Sequence, residues 1–222
     1  MNNKNINEVM LIGKVDSGLK FDHMVHGIKF YSMVLNVPRE SKYVDRIPVI
    51  VSNVILNTNR SYIGEYVLIR GYLRTYDLIQ SNNKSKLKLC VCAKHIKFVD
   101  EEYMNNNVNN QVVLEGYICK KPTYRTGLKS VRTISDILLA VNRLYNYRSS
   151  DYIPCICWNK AADFARLLKV GYHIKIDGRI QSRDYIKYVN GIEEHHTTYE
   201  VSVGRLIAIP EEESTKEEEE NV

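Results

Sequence analysis

The feature that most constrains this sequence is that it repeats itself. Val9-Met10-Leu11-Ile12-Gly13 lines up with Val112-Val113-Leu114-Glu115-Gly116, Phe30 to Arg39 with Ile134 to Arg143, and Ile47-Pro48 with Ile153-Pro154; Gly64 and Gly71 match Gly171 and Gly178. The offset between matched positions drifts only from 103 to 107. A unit of that length is large enough to bury its own core, so the chain reads as two copies of one small plan. Between the copies, Glu101 to Asn110 ends in a run dense in asparagine and reads as a linker. The expected organisation is an N-terminal domain over 1–104, a linker over 105–110, a C-terminal domain over 111–210 and a tail over 211–222.

Within each copy, short segments rich in Val, Ile and Tyr follow one another at the spacing of an all-β domain. In the second copy the pattern predicts strands at 111–119, 131–142, 151–158, 172–182 and 197–207. A helix over 159–169 interrupts them, with Ala161, Phe164, Ala165 and Leu168 on one face and Gly171 as its stop signal. Three strands, a helix and two strands is the order of the oligonucleotide-binding (OB) barrel. The predicted fold class is therefore all-β with a short helix per domain: two tandem five-stranded Greek-key OB-fold barrels. In the first copy the helix position is held by Asn53 to Ile63, whose β-branched residues and asparagines suit an irregular connection. Asn190-Gly191 predicts a two-residue hairpin turn, matched in the first copy by Ser81 to Lys88. Such barrels grip ligands through the loops joining strands 1 to 2 and 4 to 5, which places Lys84, Lys86 and Lys88 well for phosphates.

Composition narrows the function. No apolar run approaches the roughly 20 residues of a membrane helix, and the polar N-terminus lacks a secretory signal's apolar core, so a cytoplasmic protein is expected. The five cysteines contain no CxxC pair. Cys90 with Cys92, and Cys155 with Cys157, each point to one side of a strand and are read as small core residues in preference to metal ligands. No cofactor or metal is expected. No phosphate-cradling glycine loop, nucleophile elbow or metal-ligand spacing occurs, and adjacent His195 and His196 in Glu193-Glu194-His195-His196 diverge on a strand. The chain is read as non-enzymatic. Its net charge of +5 hides a basic body, because residues 211–222 hold seven Glu and one Lys, leaving 30 basic against 19 acidic residues elsewhere. That balance, with Tyr supplying 16 of the 21 aromatic residues, suits a polyanion whose bases stack on exposed rings.

Gln111 to Gly116, Ile137 to Arg143, Asp151 to Ala162 and Gly178 to Tyr185 resemble, in order and spacing, the bacterial single-stranded DNA-binding protein family over about residues 110–207. The first copy resembles it more weakly. The resemblance implies stacking positions at Tyr145, Tyr152, Trp158 and Tyr185. Independently, Tyr152, Pro154, Ile156 and Trp158 fall on one side of a regular strand. Arg143, Lys160, Arg179 and Arg183 lie beside those rings and are the expected phosphate contacts. In the first copy Arg46 stands where the second has Tyr152, and Ser52 where it has Trp158, so that platform is lost; Tyr43, Tyr72 and Tyr76 are the substitutes, with Arg39, Arg46, Arg70, Arg74, Lys84 and Lys86 for charge.

The implied function is sequence-tolerant binding of single-stranded DNA that protects it during replication, recombination or repair. Single-stranded RNA binding, or a protein-interaction module in replication initiation, are the alternatives. The family presents four barrels per particle, so two per chain implies a homodimer. Its acidic tail recruits replication or repair proteins through a hydrophobic tip. The tail here is too acidic to form a core, is expected to be disordered, and ends in Asn221-Val222 without such a tip.

Overall fold

The computed structural model describes residues 6–79, 85–126, 132–143, 146–189 and 192–210. The Asn190-Gly191 turn, the tail at 211–222, Lys84 and Tyr145 lie outside the described residues, as does the side chain of Lys86. The first half folds as β1 (Asn7–Val15), β2 (Lys20–Val25), β3 (Ile28–Pro38), β4 (Val44–Ser52), β5 (Tyr66–Ile79), β6 (Ser85–Val99) and α1 (Glu101–Asn105). The second half contributes β7 (Asn110–Ile118), β8 (Thr123–Thr126), β9 (Thr133–Arg143), β10 (Asn146–Trp158), α2 (Lys160–Ala165), β11 (His173–Val189) and β12 (Ile192–Ala208).

Alternation builds each strand. Ile137, Leu139 and Val141 of β9, and Ile153, Cys155 and Cys157 of β10, turn inward and are buried, while Leu138, Ala140 and Pro154 between them are only partly buried and Ile156 is covered on the opposite side. Each fully buried aliphatic side chain contributes about 1.5–3 kcal/mol of transfer free energy, so the alternation selects register. Hydrogen bonding runs β1-β3-β4-β6-β5 and back to β1, and likewise β7-β9-β10-β12-β11 and back to β7. The third and fifth strands of each barrel pair in parallel, and all other pairs are antiparallel. These are two OB barrels. They join where β1 and β7 pair antiparallel, from Asn7 opposite Leu114 to Leu11 opposite Asn110, and their buried residues merge into one cluster.

Gly71 and Gly178 sit at the register shifts of the β5–β6 and β11–β12 hairpins. A Cβ at Gly71 would collide with the carbonyl of Cys92, and one at Gly178 with that of Ser202. Those glycines recur in both copies because the bulge brings two backbones together.

Several expectations need correction. Glu101–Asn105, read as linker, is a helix: Asp100 accepts from the Tyr103 amide at 2.7 Å, and Met104 packs against Ile12 and Leu68. The predicted helix at 159–169 is confined to Lys160–Ala165, entered through Asn159 at φ 51°. It buries Ala165 and, beyond its end, Leu168 as expected, with Ala162 also buried, but leaves Phe164 40% exposed. The connection at Asn53 to Ile63 is irregular, as its composition suggested. β11 and β12 run well past their predicted ends, and Val189 pairs with Ile192 to close the hairpin. Among the described residues no helix is long and apolar enough to cross a membrane.

The long hairpins cross between the barrels. β5 of the first barrel lies on β10 of the second, where the Thr75 amide donates to Asp151 Oδ1 at 3.0 Å. Reciprocally, β11 lies on β4, where the Ser182 amide donates to Asp45 Oδ1 at 2.7 Å.

Candidate nucleic-acid interface

The side of β10 turned away from its barrel core carries Tyr152, Pro154, Ile156 and Trp158, because the intervening residues are committed to that core; Ile156 is itself buried there, so the two rings are the parts of this side that reach the surface. Tyr152 is 47% exposed. Trp158 is half-buried, and its indole Nε1 donates to Ser202 Oγ on β12 at 3.2 Å, which fixes the ring's tilt. The two rings are six residues apart, about 20 Å along a strand. Lys160 follows Trp158 at the exposed start of α2. Tyr185 stands instead on the β11–β12 arm, 37% exposed and stacked on His196 at 5.4 Å between centroids. Arg183 shares that arm, 55% exposed and 3.6 Å from Glu200. Asp184 beside them accepts from the Tyr43 hydroxyl of the first barrel at 3.5 Å.

Four of the arginines read as phosphate contacts meet two buried carboxylates. Asp45, fully buried, accepts from Arg39 Nε at 2.6 Å and Nη2 at 2.5 Å, and from the amide and hydroxyl of Ser182. Arg39 also donates to the Ser182 carbonyl at 3.1 Å. Asp151 is its counterpart: it accepts from Arg143 at 3.0 Å and from the Thr75 amide, while Arg143 donates to the Thr75 carbonyl at 3.3 Å. Arg39 and Arg143 therefore latch the barrels together and are not available as free cations. Their charge could not be assigned from sequence, since each partner comes from the other copy or from across a turn.

Arg74 and Arg179 are the second cations at these latches. Arg74 comes within 3.6 Å of Asp151, and Arg179 within 3.7 Å of Asp45, beyond hydrogen-bond reach in both cases. Burial alone would lower the Arg74 pKa, but its bond with Tyr72 and the charge of Asp151 raise it overall. Arg179 goes the other way: burial, then repulsion from Arg39, lowers its pKa.

The outer side of the β5–β6 hairpin interleaves rings and cations. Arg74 lies 5.1 Å and Lys94 5.2 Å from the Tyr72 centroid, and Lys88 lies 5.3 Å from that of Tyr76. Arg39 covers Tyr43 at 4.5 Å. Arg46, 66% exposed, pairs with Asp16 at 2.8 Å. Lys94 was missed by sequence reasoning. Its signal was the alternation Lys88, Cys90, Cys92, Lys94 opposite Tyr76, Arg74 and Tyr72.

The acidic-histidine run divides as strand geometry requires. His195 pairs with Glu193 at 3.2 Å and His196 with Glu194 at 2.9 Å, so the two rings take opposite sides. Cys155 and Cys157 fill the core, and burial pushes the Cys157 thiol up to about 12. Cys90 and Cys92 lie on the other side of β6, under Tyr72; a hydrogen bond from Cys90 lowers the pKa of Cys92.

A family model described as the single-strand binding protein family matches residues 109–219, half of the chain. The chain belongs to the single-strand binding protein family. The match covers the second copy, where Gln111 to Gly116 of β7, Ile137 to Arg143 of β9, Asp151 to Ala162 of β10 and α2, and Gly178 to Tyr185 of β11 carry the resemblance. Single-stranded DNA-binding protein 2 of Listeria monocytogenes is 38% identical over 81 residues, covering 34% of this chain and 50% of the relative. Single-stranded DNA-binding protein 1 of Staphylococcus aureus is 38% identical over 81 residues, covering 34% and 48%. The matched region thus spans about half the length of these relatives. The wild-type single-stranded DNA binding protein from Thermus aquaticus superposes with a TM-score of 0.71 at 18% identity, covering 94% of this chain and 95% of that one. At that identity the likeness speaks to fold: both barrels have a counterpart.

Proposed function

We propose that this chain binds single-stranded DNA without marked sequence preference, stacking bases on Tyr152 and Trp158 and tracking the backbone with cations. The observation that carries the reading is the outer side of β10, where two rings are presented by a strand whose other side is locked into the core. Rigid presentation matters because the ordering cost is met on folding and not on binding. Each base stacked on such a ring contributes about 1–3 kcal/mol and needs no particular base identity. Lys160, Arg183 and Tyr185 extend the surface on the second barrel. Tyr72, Tyr76, Lys88 and Lys94 on the first barrel's hairpin replace the platform lost at Arg46 and Ser52. Arg74 and Arg179 supply charge at the junctions, whereas Arg39 and Arg143 hold the barrels in position. Protection of exposed strands in replication, recombination or repair is the role that this chemistry serves. Two chains assemble to present four barrels, which sedimentation at micromolar concentration checks. The acidic tail competes with DNA for the basic surfaces, so its removal tightens binding at low salt.

The deciding experiment follows the fluorescence of the single tryptophan, Trp158, while a thymidine oligonucleotide is added. Quenching by single strands that weakens with salt supports stacking at Trp158 and phosphate contacts. Binding without quenching moves the site off β10, and no binding at low salt rejects the reading. Equal affinity for a matched RNA strand would widen the ligand to RNA.

A further inference from the structure

We infer that Cys92 is a redox-modification site: a hydroperoxide oxidises it to the sulfenic acid, a low-molecular-weight thiol caps it, and the capped side chain covers the Tyr72 ring. The modification itself requires no DNA; its consequence for binding rests on the single-strand reading above.

The five cysteines are not equivalent. Cys90, Cys155 and Cys157 are buried away from solvent. Cys119 is partly exposed, but its S–H donates to the Leu138 carbonyl at 3.2 Å and burial raises its pKa, so it stays a thiol. Cys92 is partly exposed too, and it stands in a different setting. It lies in the outer row of β6, where Tyr72 is its direct partner across the hairpin and Arg74 is that of Cys90. Three donors converge on its sulfur: the Cys90 thiol on the same side of the strand, the Tyr72 hydroxyl, and the Arg74 guanidinium, 5.1 Å from the Tyr72 centroid. The bond from Cys90 is the largest influence. With the charge of Arg74 it outweighs burial and the negative Asp151 of β10, so Cys92 ionises more readily than an ordinary thiol.

The thiolate sulfur attacks one oxygen of the peroxide. An S–O bond forms as the O–O bond breaks, and the departing hydroxide takes a proton and leaves as water; sulfur is oxidised and the peroxide reduced. A small thiol then forms an S–S bond to the sulfur, the S–O bond breaks, and water leaves. Cys90 does not close a disulfide instead. Residues two apart on a strand lie about 6.7 Å apart with parallel side chains, whereas a disulfide needs its Cβ atoms about 3.5–4.5 Å apart. The sulfenic acid therefore waits for an external thiol. Once attached, that group occupies the space over Tyr72, beside Arg74 and Lys94, where the hairpin's rings and cations interleave.

The test treats the reduced full chain with equimolar hydrogen peroxide and dimedone, which alkylates sulfenic acids, and locates the adduct by peptide mass spectrometry. The adduct is expected on Cys92, at least about tenfold above that on Cys119. In Cys90→Ala the pH at which labelling sets in should move upward, a shift that a packing role for Cys90 would not produce. No adduct on Cys92, an adduct spread evenly over the cysteines, or a disulfide closed between Cys90 and Cys92 overturns the site. The second readout is anisotropy of a fluorescein-labelled thymidine oligonucleotide, with the chain capped by peroxide and glutathione. Capping is expected to lower affinity about fivefold or more, one stacked base's share, with recovery in dithiothreitol and no effect in Cys92→Ser. Unchanged affinity of the capped chain overturns the covering of Tyr72. If the untreated chain binds no single strand, the single-strand reading fails by itself, and the dimedone adduct still decides the modification.

Discussion

Replacing Asp45 by Asn tests whether the latches hold the two barrels as one unit. The Asp45 side chain is fully buried, and its two oxygens serve the Arg39 fork and Ser182. An amide of the same shape keeps one acceptor and turns an N–H toward an arginine N–H. It also removes the charge opposite Arg39, whose side chain is 22% exposed. Removing one partner of a buried pair costs about 3–5 kcal/mol, and the exposure of Arg39 puts the expected loss near the lower end, about 3 kcal/mol. The two losses should not add: in the Asp45→Asn background, Arg39→Met is expected to lose about 1 kcal/mol or less, because the partner of the Arg39 charge is already gone. The assay is urea unfolding followed by circular dichroism and by Trp158 fluorescence. Trp158 lies in the second barrel and Asp45 in the first, so a latch that couples the barrels moves both transitions together. A loss under about 1 kcal/mol, or a Trp158 midpoint that stays still while the dichroism shifts, would refute the reasoning.

Three further outcomes are expected. Tyr152→Ala and Trp158→Ala should each weaken single-strand binding by about 1–3 kcal/mol while Tyr152→Phe leaves it near the parent's, measured by anisotropy; equal loss in Tyr152→Phe would replace stacking with a hydroxyl contact. Gly71→Ala and Gly178→Ala should each cost about 1–3 kcal/mol of stability by forcing the bulged backbones apart, read from Tm in calorimetry; unchanged values would mean the hairpins shift freely. At pH 8, iodoacetamide should alkylate Cys92 first, since hydrogen bonding from Cys90 favours its thiolate. Cys157, pushed to about 12, should react far more slowly, which peptide mass spectrometry resolves. Preferential loss of the Cys157 thiol would show the second barrel opening.

Much of this molecule was legible in the order of its residues. The repeat announced two barrels, because a matched set of strand patterns and glycines can close only one way. The alternation across Tyr152 to Trp158 placed both rings on one outer side, since a strand's period of two is a local property. The arms of β11 and β12 were not legible: Arg183 to Tyr188 are exposed throughout and have no buried side to set a period. Nor were the latches. Asp45 and Ser182 are 137 positions apart, and Asp151 and Thr75 are 76 apart, so only the packing of one barrel's hairpin on the other shows which arginines are spent on carboxylates and which remain for a ligand. Sequence alone determined the repeat, the strand faces and the basic body, all of which are local or additive. The choice between a structural and a free cation depends on distances between chain segments, and those exist only once the barrels have closed on each other.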